Sequence, residues 1–205
     1  MSRFAPIVSL VPALGLSVFA AIGTAHAGPP VQPSLDKKTR HIQVTAEMPH
    51  SAAEVWGVLA EDYGRVADSH PRIVKSDYLR GSLKGELGAE RSCWFNEKGS
   101  QVLNEQIVGW DPAEMTFQNR IVSREGFPID PDNTLATYSV VAIDGGHSRV
   151  TIEMDFRTAP AMMGGMMKGS FENLLGDYLT AVDHHLRTGE SVNRDNFAMV
   201  KSLYK

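Results

Sequence analysis

From residue 41 the chain shows a hydrophobic period of two that gives way, ten residues on, to helical spacing. Ile42, Val44, Ala46 and Met48 alternate with Gln43, Thr45 and Glu47, the pattern of a half-buried antiparallel strand. Ser51 then stands three residues before Glu54. At that spacing the Ser hydroxyl accepts from one free helical N–H and the Glu carboxylate from another, which predicts a helix from about Ala52. Val55, Leu59 and Tyr63 form its apolar edge with Trp56 beside it, and His70-Pro71 closes the helical region.

Strand patterns follow at 73–79, 89–95, 102–110, 115–123, 134–144 and 149–158. Glu97-Lys98-Gly99-Ser100, Asp111-Pro112 and Gly145-Gly146 supply turns between them. Short connections and repeated hairpin signals predict an antiparallel meander. The period then changes again. Met163, Met167, Phe171, Leu174, Leu175, Tyr178, Val182 and His185 recur at steps of three and four, which predicts a long amphipathic helix ending near Gly189. Residues 189–205 read as a tail or one further short helix.

Before residue 41 the pattern is different in kind. Arg3 is the only charged residue ahead of Asp36, Ile7 to Ile22 is almost wholly apolar, and Ala25-His26-Ala27 has the small-x-small form of a signal-peptidase site. Residues 1–27 are therefore expected to be a cleaved secretory signal, with no stable membrane insertion after cleavage and a secreted, periplasmic product. Residues 28–40, with Pro29, Pro30 and Pro33, read as a linker, and 41–188 as one domain. The chain has 20 basic and 24 acidic residues, without the clustered Lys and Arg of a nucleic-acid footprint. Cys93 is the single cysteine, which rules out an internal disulfide and suits a small buried apolar residue.

One strand, a short helical segment, six strands and a long terminal helix is the order of the helix-grip fold. Here the chain resembles the START-like superfamily, also called SRPBCC, and within it the bacterial polyketide cyclase/dehydrase and lipid transport group. The resemblance spans 41–188 and is carried by Ser51-Ala52-Ala53-Glu54-Val55-Trp56, Asp62-Tyr63, His70-Pro71, Gly88-Ala89-Glu90-Arg91, Glu105-Gln106-Ile107-Val108-Gly109-Trp110 and the terminal helix. It implies an α+β protein, a curved antiparallel β-sheet wrapped around the C-terminal α-helix with an elongated apolar cavity between them. It also implies an inward basic residue and pocket aromatics that hold a substrate, a role carried over to Arg91.

Alternation sharpens the candidate site. Pairing 89–95 with 101–107 across a hairpin centred on Lys98 sets Phe95 against Gln101, Cys93 against Leu103, Arg91 against Glu105 and Ala89 against Ile107. Three roles stay open for Arg91 and Glu105: a self-satisfied structural pair, an outward-facing pair, or a polar anchor in an apolar pocket. Asn119, on a face with Met115, Phe117 and Ile121, and Tyr138, with Ala136 and Val140, are further candidates to hydrogen-bond into a cavity or to the backbone. Met163, Met167 and Phe171 complete the candidate lining from the helix. Trp56 and Trp110 read as core aromatics.

No cofactor and no metal are expected. His184 and His185 point about 100° apart on a helix and cannot share one ion, and His70 has no nucleophile motif near it. Met162-Met163-Gly164-Gly165-Met166-Met167 reads as a hydrophobic helix entrance with a Gly hinge, with a flexible cavity lip or a copper site as alternatives. The expected function is binding of a small hydrophobic or amphipathic ligand, a lipid among the options. The alternatives are a cyclase- or dehydratase-like enzyme using Arg91, Glu105 or His70, and a periplasmic interaction module with a closed cavity.

Overall fold

The computed structural model describes residues 38–204. The expected signal segment, and all but the last residues of the expected linker, lie outside them. Strand β1, Arg40–Met48, buries Ile42 and Met48 and exposes Gln43, Thr45 and Glu47. Helix α1, Ala52–Trp56, starts as its side chains dictate: Ser51 Oγ accepts from the Glu54 N–H, and Glu54 accepts from the Ser51 N–H at 2.9 Å. The helix does not run on to Tyr63 as its apolar edge predicts. It widens into a π-helical stretch, Gly57–Glu61, where the Asp62 N–H reaches the Gly57 carbonyl, and then tightens into a 3₁₀ segment, Tyr63–Asp68. These changes of pitch leave Tyr63 fully buried.

Six more strands follow: β2 Lys75–Leu79, β3 Glu90–Trp94, β4 Val102–Asp111, β5 Thr116–Glu125, β6 Leu135–Ala142 and β7 Ser148–Phe156. They form one antiparallel, curved sheet of seven strands in the order β1-β7-β6-β5-β4-β3-β2. The β3–β4 register is the one the hairpin loop predicts, with Arg91 opposite Glu105 and Cys93 opposite Leu103. Met115, expected in a strand, instead sits in the β4–β5 turn with φ 47°. The β4–β5 ladder is irregular at two places. Asn104 faces Ser123 but Glu105 faces Ile121, so Val122 is an extra residue beside Glu105; Val108 is a second one on β4. Such bulges bend and twist the strands.

Helix α2, Gly164–Thr188, lies against the sheet and stops at Gly189, whose left-handed backbone (φ 72°) returns its N–H to the His185 carbonyl. Apart from Gly164, its buried residues lie between Leu175 and His184. The half before Leu175 is partly uncovered. The core beneath is aromatic: Phe117 stacks on Tyr138 at 4.5 Å, and Trp56 meets Trp110 at 4.9 Å. Residues after Gly189 are not a loose tail. Val192 pairs with Ser69, its N–H bonding to the Asp68 carbonyl, and α3, Phe197–Ser202, closes a small second core of Ala181, Val192 and Val200 on the outer side of α2. No helix of the described residues is long and apolar enough to cross a membrane.

Candidate functional site

Between the sheet and the first half of α2 lies a cavity of about 100 Å³. Its wall is mostly apolar, with Ile73, Leu103, Ile121, Met154, Phe171 and Leu175 among its lining residues. Into this wall the strands bring Arg91, Glu105, Asn119 and Tyr138, so five of the seven candidate residues, Phe171 included, share one cavity. Met163 and Met167 do not line it. Met163 belongs to the 3₁₀ turn ahead of α2, and Met167 packs against the core elsewhere on the helix.

Arg91 faces inward and is 5% exposed. Its Nε–H donates to Glu105 Oε2 at 2.7 Å and Nη2 lies 2.7 Å from the same oxygen, while Nη1–H donates to the Tyr63 carbonyl at 2.8 Å. The guanidinium also lies over the Tyr63 ring, 3.9 Å from its centre. Burial opposes the charge, yet Glu105 beside it holds Arg91 well above its ordinary range, so the cation persists. Isolated, either ion would be costly here; paired and hydrogen-bonded, each compensates the other. The outward-facing alternative is thus excluded, and the short helical segment supplies a partner, the Tyr63 carbonyl, that no strand pattern could announce.

The other polar groups are held uncharged. His70 Nδ1 accepts from the N–H groups of Arg72 and Ile73 at 3.1 and 3.2 Å, which places the ring proton on Nε2. Burial, and then the charge of Arg91, lower the His70 pKa to about 3. Its ring leans on Tyr178 at 4.8 Å. Burial likewise pushes the Cys93 thiol and the Tyr63, Tyr138 and Tyr178 hydroxyls upward, away from ionisation near neutrality. Cys93 Sγ sits 3.6 Å from Glu105 Oε2. Asn119 Nδ2 approaches the Tyr63 hydroxyl at 3.5 Å. Among the described residues, the hydroxyls of Tyr138 and Tyr178 and the Nε2–H of His70 have no protein hydrogen-bond partner.

His70 and Tyr178 were the residues sequence reasoning undervalued. The signal for Tyr178 was a hydroxyl-bearing residue on the buried stripe of a helix facing a sheet. As a functional residue, His70 enters the sequence reading only through the enzyme alternative, and its place before Pro71 gives no sign that it lines a cavity.

A curved sheet gripping one long helix around an apolar, partly polar-lined cavity defines the class: a helix-grip protein. The chain belongs to the polyketide cyclase / dehydrase and lipid transport family, whose model matches residues 39–182. Solved structures agree on the fold. An uncharacterised protein from Bacillus thuringiensis is 20% identical with a TM-score of 0.60, over 72% of this chain and 98% of that one. An aromatase/cyclase from a Streptomyces species is 15% identical with a TM-score of 0.54, over 82% and 96%. Norcoclaurine synthase from Thalictrum flavum is 14% identical with a TM-score of 0.55, over 78% and 98%. No curated protein matches the sequence.

Proposed function

We propose that this protein is an exported carrier that holds a small, largely apolar ligand in the cavity between its sheet and α2. The observation that carries this reading is the cavity itself: an apolar wall with a few convergent polar groups whose hydrogen-bonding capacity the protein does not use, the usual make-up of a ligand site. At about 100 Å³ it is smaller than the roughly 300–1,000 Å³ of most ligand pockets. It suits a ring or part of a chain, and a whole lipid requires the first half of α2 to lift. The partial burial of that half favours such movement.

Holding is favoured over turnover because His70, Cys93 and the cavity tyrosines are all pushed away from neutrality, where a general acid or base works best. Export is supported by the apolar run Ile7 to Ile22 followed by Ala25-His26-Ala27. Native mass spectrometry of protein purified gently from its own host tests both parts. The expected result is a chain beginning at Gly28 with a bound apolar compound, lost in Ala136→Leu, which fills the cavity from β6. A compound retained equally by that variant, or converted to product on incubation, refutes the carrier reading, and a chain retaining residues 1–27 refutes export by cleavage.

A further inference from the structure

The Arg91–Glu105 pair is not symmetrical toward the cavity. The Glu105 side chain is 16% exposed and that of Arg91 only 6%. The hydrogen bonds and ion pair of Glu105 all run through one oxygen: Arg91 Nε and Nη2 and the Cys93 thiol converge on Oε2. Among the described residues nothing hydrogen-bonds to Oε1. Arg91, by contrast, is held on three sides, by Glu105, by the Tyr63 carbonyl and by the Tyr63 ring. The extra residue Val122 lies directly across the ladder from the Asn104–Glu105 step, so the sheet departs from regular geometry beside this carboxylate.

We infer that the ligand-facing anchor of the cavity is the free oxygen of Glu105, which accepts a hydrogen bond from the hydroxyl of an uncharged, ring-sized apolar ligand and turns carboxylates away. This rests on the cavity being the ligand site. The charges agree with it. Arg91 and Glu105 sum to zero, and His70, Cys93 and the tyrosines are neutral. An entering carboxylate therefore brings an uncompensated charge into a largely apolar space and sets it beside Glu105. An entering hydroxyl donates to Oε1 and, in turn, accepts from the Tyr138 hydroxyl, the Tyr178 hydroxyl or His70 Nε2–H. The basic residue that resembles a substrate anchor is instead the support of an acidic one.

Calorimetric titration of the full mature protein with 2-naphthol, 2-naphthoate and naphthalene near neutral pH tests this. The ring is the same in all three; only the polar group changes. The expected order is naphthol tighter than naphthalene, with naphthoate at least tenfold weaker than naphthol. In Glu105→Gln, which leaves the Arg91 charge unbalanced, naphthoate becomes the better ligand. Naphthoate binding as tightly as naphthol, or naphthalene matching naphthol, overturns the inference while leaving the carrier reading intact. Binding of none of the three overturns the inference, and the carrier reading is then decided by the native mass spectrum. The comparison on the unaltered protein stands even where Glu105→Gln does not fold.

Discussion

Acid should loosen this protein through one identifiable side chain, His70. In the native state its pKa is about 3 against an ordinary 6.5, because the ring is buried and faces Arg91. The folded form thus binds its proton far less readily than the unfolded chain. Stability from this source is complete above about pH 6.5, falls as pH drops, and levels off below about pH 3, where both states are protonated. Between about pH 7.5 and pH 5 the loss is about 1.5 pK units at 1.36 kcal/mol each, or ~2 kcal/mol; its limit in strong acid is about 5 kcal/mol. Other ionisable groups titrate over the same range, so the test is a difference. His70→Asn keeps an acceptor near Nδ1 for the N–H groups of Arg72 and Ile73 but cannot titrate. Urea denaturation of both proteins across that range should show the natural chain losing ~2 kcal/mol more than the variant. Parallel stability–pH curves would refute the reasoning, and would mean that water reaches the ring or that the unfolded chain holds it in a similar environment.

Two further outcomes concern the far end of the fold. Gly189→Ala meets no neighbour within 4 Å but must adopt φ 72°, so it should cost about 1 kcal/mol, read as a lower urea midpoint with an unchanged slope. Val200→Ala, at a fully buried site of the second core, should cost about 2 kcal/mol and speed hydrogen exchange at the Val192 N–H; unchanged exchange would mean that α3 is not what holds Val192 against Asp68.

What the sequence made legible follows the ranges over which side chains act. The capping box at Ser51 and Glu54, the strand alternation and the stop at Gly189 are local chemistry, and each appears where it was read. The Arg91–Glu105 register was also readable, because loop length and a period of two leave little freedom across a hairpin. The break of α1 into π-helical and 3₁₀ turns was not. It depends on how Tyr63 fits beneath Arg91 and Phe117, contacts from strands far along the chain. Nor was the orientation of the ion pair, since Val122 looks like any other strand residue until its neighbour on β4 is known. The helix stripe named Met163, Met167 and Phe171 together, but only Phe171 reaches the cavity; periodicity gives a face, not the depth at which each turn of α2 meets the sheet.

The pairing of β1 with β7 has a consequence for how the domain is made. Its cross-strand pairs join residues a hundred or more apart, such as His41 and Asp155. The strand that opens the domain therefore has its ladder partner in the last strand of the sheet and cannot pair until β7 is available. The sequential hairpins from β2 to β7 close short loops whereas β1 closes one of roughly a hundred residues, so its pairing is expected to be the slow step of folding. Ile42 and Met48, buried in the finished sheet, depend on that closure for their cover.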